Sequence, residues 1–170
     1  MNENKSAVTL ETERLTLRPP TVDDAEEMFR KRNYSIRPMT LADYPQCFAL
    51  WQITSGADTR HDCKYEVLAN ILARNPDTCY IAEQNGIIIA TVTCEFGGDG
   101  AYISHLAVAP ELRRMGIAKT LVAALEQRLD ALGVRKSRIL VFSGNTTAEK
   151  FWREMGYGTR DDVFFMDKEL

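Results

Sequence analysis

The stretch Leu106-Ala107-Val108-Ala109-Pro110-Glu111-Leu112-Arg113-Arg114-Met115-Gly116-Ile117-Ala118 decides how this chain is read. Upstream of it, residues 101–108 have the look of a strand. Downstream, Ile117, Leu121, Leu125, Leu129 and Leu132 recur at roughly helical spacing, which predicts a long amphipathic helix beginning near Arg114 and ending at Gly133. A strand therefore ends, a tight loop follows, and a helix starts. The first turn of a helix has N–H groups without intrahelical partners and the positive end of the helix dipole, so it can hold phosphate. Gly116 and Ala118 are small enough for close approach, and Arg113 and Arg114 can add charge-assisted bonds. The expectation is a diphosphate cradle.

Two other phosphate loops are excluded by spacing. A Walker loop needs Gly-x4-Gly-Lys-Ser/Thr; Lys119-Thr120 fits its end, but Arg113 and Ala118 occupy the glycine positions. A dinucleotide fingerprint needs three glycines opening a helix, and this loop has only Gly116. The run Gly97-Gly98-Asp99-Gly100 leads into a strand and reads as a hairpin turn.

Working outward, the elements alternate. Strand one falls at 34–37, and Thr40 opens a helix running to about Gln52. A second helix is expected at 65–73, with Val67, Leu68, Ile71 and Leu72 on its apolar face, stopped by Asn75-Pro76-Asp77. Strands follow at 78–83 and 87–96, joined through Gln84-Asn85-Gly86. After the long helix, a strand at 138–142 precedes a second amphipathic helix bearing Ala148, Phe151, Trp152 and Met155, ended by Gly156. A last strand at 163–166 is expected to close the sheet, with Phe164 and Phe165 in the core. This order predicts an α/β (α+β) fold, a mixed, mostly antiparallel central sheet flanked by helices on both faces.

The length of 170 residues suits one domain, and 45% hydrophobic with 26% charged residues is an ordinary globular balance. A net charge of −3 gives no footprint for nucleic acid. The longest apolar run, Ile87-Ile88-Ile89-Ala90, is far too short for a membrane span, and the N-terminus lacks a signal pattern, so no membrane association and a cytoplasmic location are expected. Cys47, Cys63, Cys79 and Cys94 are widely spaced, and His61 and His105 are the two histidines. Neither a metal site nor a redox motif is indicated; the cysteines read as reduced, mostly buried thiols.

The chain also echoes itself. Leu17-Arg18-Pro19-Pro20-Thr21-Val22-Asp23-Asp24 matches Ile36-Arg37-Pro38-Met39-Thr40-Leu41-Ala42-Asp43, each reading as a strand, a proline turn and a capped helix start. Residues 1–32 are therefore taken as a partial duplicate of a domain start or an N-terminal extension, and 33–170 as the main domain. The basic run Arg30-Lys31-Arg32 reads as a solvated connector.

With these features assembled, the chain resembles the GNAT acetyltransferase superfamily. The family's pyrophosphate motif, Gln/Arg-x-x-Gly-x-Gly/Ala, stands here as Arg113-Arg114-Met115-Gly116-Ile117-Ala118, behind the family-like Leu106-Ala107-Val108-Ala109-Pro110. A second motif, Asn-x-x-Ala-x-x-x-Tyr-x-x-x-Gly-Phe/Tyr, is met by Asn145, Ala148, Gly156 and Tyr157, with Trp152 at the tyrosine position. The resemblance runs from about Tyr34 to the C-terminus, and the first copy, near Glu13-Arg14-Leu15-Thr16-Leu17-Arg18, is similar to how ribosomal-protein acetyltransferases of the family begin.

The resemblance implies an N-acetyltransferase that moves an acetyl group from acetyl-CoA, its cosubstrate, to a primary amine by direct attack, without a metal. Backbone groups of Leu106, Ala107 and Val108 would hold the pantetheine arm. The N–H groups from Arg114 to Lys119, with Arg113, would hold the pyrophosphate. Asn145 would touch the pantetheine or adenylate side, or cap its helix, or both.

An ammonium has no lone pair, so a base or water must take its proton. Glu95, Tyr102 and His105 are the candidates, and a water chain needing no single base is a fourth. In the family a tyrosine often protonates the departing thiolate. Trp152 cannot, because an indole N–H is no acid at neutral pH. A catalytically weak acyl-CoA-binding module is the alternative that this substitution raises. The acceptor is unspecified, with Asp58, Asp62, Glu95 and Asp99 faintly favouring a cationic one. A surplus strand-one copy could pair with a second chain, giving a homodimer.

Overall fold

The structure, a computed structural model, describes residues 10–12, 15–17, 33–54, 64–97, 100–166 and 168. Two short strands, β1 (Leu10–Thr12) and β2 (Leu15–Leu17), pair antiparallel with Leu10 opposite Leu17. They form a sheet of their own. The rest of the first repeat, including its expected helix start, lies outside the described residues, as do Asp58, His61, Asp62, Cys63, Gly98 and Asp99.

The main sheet has five strands in sequential order: β3 (Ser35–Pro38), β4 (Tyr80–Gln84), β5 (Ile87–Gly97), β6 (Gly100–Val108) and β7 (Ser137–Ile139). The first three junctions are antiparallel and the last, β6 with β7, is parallel. The β4–β5 hairpin turns at Asn85 and Gly86, whose φ values of 52° and 79° are the two positive angles that a tight hairpin turn matching strand twist requires. In the sheet, the position beside β4 is taken by the second copy of the repeat, Ile36-Arg37-Pro38.

Among the described residues four α-helices cover this sheet: α1 (Tyr44–Thr54), α2 (Tyr65–Arg74), α3 (Ile117–Ala131) and α4 (Thr146–Glu154). A short 3-10 turn, Leu41–Asp43, leads into α1. Ile88 to Cys94 on β5 are buried without alternation, as in a strand covered on both faces. On α3, Ile117, Leu121, Leu125 and Leu129 recur every fourth residue and are all buried. Each such side chain contributes about 1.5–3 kcal/mol relative to exposure.

Cys47, Cys79 and Cys94 are free and buried. Burial pushes Cys47 and Cys94 up to about 12 and Cys79 up to about 11, so they remain thiols.

Several expectations need correction. The long helix starts at Ile117, not near Arg114, because Arg114 and Gly116 take φ of 65° and 83° and cannot belong to a right-handed helix. The strand expected at 138–142 shrinks to Ser137–Ile139, leaving Leu140 and Phe142 exposed. The strand expected at 163–166 does not form. Phe164 is 92% exposed and Phe165 68%, so neither belongs to the core. Strand propensity produces a strand only where a ladder partner is available, and β7 ends before it could provide one.

Candidate active site

The site is assembled around β6. Its pairing with β7 begins at Ala101 opposite Ser137 and stops at Ile103 opposite Ile139, while β6 itself continues to Val108. Among the described residues, the edge of Ser104 to Val108 that faces away from β5 therefore has no strand beside it. The expected binding residues Leu106, Ala107 and Val108 lie on this stretch, past the last pair with β7.

The same segment carries a β-bulge. Thr93 pairs with Ser104 and Thr91 with Ala107, so His105 and Leu106 together face Val92. His105 is the bulged residue, with φ of 46°. Its Nδ1 lies 3.1 Å from the Thr93 hydroxyl and 3.3 Å from that of Ser104. Its ring packs against that of buried Trp51 of α1, centroids 4.6 Å apart and planes tilted by 39°. Its carbonyl accepts a bond of 2.8 Å from the Thr91 hydroxyl.

At the far end of β6 the chain turns through the 3-10 segment Pro110–Leu112 into the arginine loop. Arg113, Arg114, Gly116 and Lys119 are exposed. The first helical bond of α3 runs from Thr120 N–H to Gly116 O at 3.0 Å, so the N–H groups of Ile117, Ala118 and Lys119 precede any intrahelical donor. Gly116 is required for its backbone angle and not for room, since a Cβ there would meet nothing within 4 Å. Arg113 Nε reaches back to the Val108 carbonyl at 3.3 Å, tying the loop to the end of β6.

The base candidates separate in space. Glu95 and Tyr102 are a directly opposed pair on β5 and β6, both exposed. Arg138 of β7 lies 5.8 Å over the Tyr102 ring. This pair stands two residues beyond Ser104, about 7 Å along the strand. His105 sits in the bulge itself. Asn145 caps α4, its side-chain oxygen accepting from Ala148 N–H at 3.0 Å, which is the capping alternative drawn from its position.

Trp152 is buried, packed edge-on against Phe151 and Tyr157. Burial pushes the Tyr157 hydroxyl up to about 12, and it bonds Ser137 Oγ at 2.7 Å and Glu126 at 3.0 Å. Neither aromatic is an acid poised for neutral pH. The residues that sequence reasoning missed are Thr91, Thr93 and Trp51, which fix the bulge. A threonine every second residue on β5 hinted at a polar face, but a bulge on the neighbouring strand leaves no such mark.

Among the described residues there is no group of three or more His, Cys, Asp or Glu that could hold a metal, and no helix long and apolar enough to cross a membrane.

Comparison with known proteins agrees with this architecture. The family model described as the acetyltransferase (GNAT) family matches residues 35–157, and the chain belongs to that family of N-acetyltransferases. An acetyltransferase of Sodalis glossinidius is 25% identical over 135 residues, covering 79% of this chain and 94% of that protein. One from Pectobacterium atrosepticum is 28% identical over 128 residues, covering 75% and 90%. Among solved structures, the PaiA N-acetyltransferase of Thermoplasma acidophilum, in complex with coenzyme A, superposes with a TM-score of 0.69 at 19% identity, covering 77% of this chain and 93% of that one. The ribosomal-protein-S18-alanine N-acetyltransferase of Escherichia coli gives 0.61 at 20% identity, covering 72% and 76%. These structural likenesses show a shared fold.

Proposed function

We propose that this chain transfers an acetyl group from acetyl-CoA to a primary amine, with the cosubstrate threaded along the open edge of β6. The observation that carries this reading is the alignment of three features on one path. They are the unpaired half of β6, the bulge at His105, and the exposed arginine loop at the start of α3. A pantetheine arm needs backbone partners along its length, and a strand edge without a neighbour provides them. A diphosphate needs converging N–H groups and positive charge, which Arg114 to Lys119 and the guanidinium of Arg113 supply. Asn145, at the start of α4, is the remaining contact assigned to the cosubstrate.

In the reaction the amine nitrogen bonds to the thioester carbon, the C–S bond breaks, and sulfur leaves with the electron pair. The nitrogen must first lose a proton. Glu95 is the preferred acceptor, through water, because it is exposed on the surface leading to the bulge. His105 and Tyr102 are the other candidates on the same two strands. Glu95, a carboxylate exposed on β5, favours a cationic amine. Coenzyme A in the Thermoplasma acidophilum complex supports the cosubstrate assignment by likeness of fold.

Buried Trp152 favours a second reading, an acyl-CoA-binding module with little turnover. Calorimetric titration with acetyl-CoA and CoA, beside Arg114→Glu, tests the common core of both. Binding by the wild type that weakens at least tenfold in the variant (about 1.4 kcal/mol) is expected. Thiol release that requires both acetyl-CoA and an amine then separates an enzyme from a binding module. No binding by the wild type defeats both readings.

A further inference from the structure

The bulge is held by a chain of groups reaching into the core. Trp51, 1% exposed, donates its indole N–H to Thr91 Oγ1 at 2.9 Å. Thr91 is fully buried, and its hydroxyl donates in turn to the His105 carbonyl at 2.8 Å. A hydroxyl has one proton. Because the indole can only donate, Thr91 must use its own proton on His105, so the direction of this relay is fixed. It meets His105 where the backbone needs holding, at φ of 46°, a region that side-chain-bearing residues rarely occupy.

A trans peptide is planar, with its C=O and N–H pointing in opposite directions. The carbonyl of His105 is turned onto Thr91, so the N–H of Leu106, on the same peptide, is turned away from Thr91. We propose that Thr91, locked by Trp51, is a positioning residue for acyl transfer. It sets the His105–Leu106 peptide so that the Leu106 N–H donates to the thioester carbonyl lying along the free edge of β6. This inference rests on the cosubstrate reading above. As the amine adds to the thioester carbon, negative charge grows on the carbonyl oxygen and a preoriented donor stabilises it. When the C–S bond breaks, the electron pair goes to sulfur and the carbonyl re-forms.

The test uses the full chain and needs no known acceptor. Acetyl-CoA labelled with carbon-13 at the thioester carbonyl is bound to wild type, Thr91→Val, Thr91→Ser and Trp51→Phe, and its carbonyl band is read by isotope-edited infrared difference spectroscopy. Expected are a downshifted band on wild type and Thr91→Ser, and a band returned toward its position in water on Thr91→Val. CoA affinity should stay within about twofold across the set, since the proposal concerns the carbonyl donor and not the diphosphate loop. With an accepted amine, kcat of Thr91→Val falls by about 10- to 100-fold while KM for acetyl-CoA holds, and Thr91→Ser recovers it. If Thr91→Val does not fold, Trp51→Phe carries the test, with a partly reversed downshift expected. A wild-type-like band in whichever of these variants folds overturns the proposal alone. Absence of acetyl-CoA binding by the wild type overturns it together with the functional reading.

Discussion

Arg37 shows how one side chain can fasten distant backbone. Its guanidinium bonds both oxygens of Asp43 at 2.8 Å, in the turn before α1, and reaches Glu83 of β4 at 2.8 and 3.0 Å. Asp43 is nearly buried and also accepts from the N–H and hydroxyl of Thr40, at 2.8 and 2.9 Å. The bond from Arg37 is the main reason that the Asp43 carboxyl is held down at about 2. A carboxyl lowered in the folded state adds stability above its unfolded pKa and loses it as pH falls through the folded value. The contribution is therefore complete above about pH 4 and gone near pH 2. Arg37→Met should destabilise the fold by about 1–3 kcal/mol at pH 7 in urea unfolding. The gap between wild type and variant should close as the pH is lowered from 4 to 2. A gap that does not depend on pH would mean that Arg37 acts through packing. The sequence marked Thr40 and Asp43 as a helix opening, because that pattern is local. Glu83 lies 46 positions from Arg37, and nothing local announces it.

At the scale of elements, legibility follows how local the determinant is. The β4–β5 hairpin could be read because Asn85-Gly86 supplies both positive φ angles from within the turn. The spacing of α3 could be read from its own leucines, but its start could not, because Arg114 in the left-handed region interrupts what looks like helical sequence. The bulge was invisible because a histidine carries it, where glycine would have signalled it. The phosphate loop was legible as a motif, whereas the unpaired edge of β6 before it depends on where β7 stops. The strand expected at 163–166 failed because propensity describes the segment and not its partner. That difference can be measured. Phe164 is 92% exposed, so Phe164→Ser should change stability by no more than about 0.5 kcal/mol. A core phenylalanine, the expectation from sequence, would cost about 3–5 kcal/mol when truncated. A large loss in thermal or urea unfolding would restore the strand.

At the scale of the whole molecule, the repeat poses a problem of occupancy. Two copies of a strand-turn-helix opening exist, and a sheet has one position beside β4. Ser35–Pro38 holds that position through four residue pairs with β4, and Arg37 anchors it to Asp43 and Glu83. Leu15–Leu17, from the first copy, pairs instead with Leu10–Thr12. The matched family region begins at residue 35, after the first copy is complete. The five-stranded sheet, the bulge, the unpaired edge of β6 and the arginine loop all belong to the later part of the chain. Residues 33–170 should therefore form the acetyltransferase unit without residues 1–32. Deleting 1–32 should leave cooperative unfolding intact and acetyl-CoA affinity within about twofold of the full chain, read by calorimetry. Sedimentation of the two proteins then assigns the extension. A drop from dimer to monomer on deletion would give residues 1–32 an assembly role, and an unchanged state would exclude one. Loss of folding on deletion would mean that the first copy is part of the domain, and the division at residue 33 would be wrong.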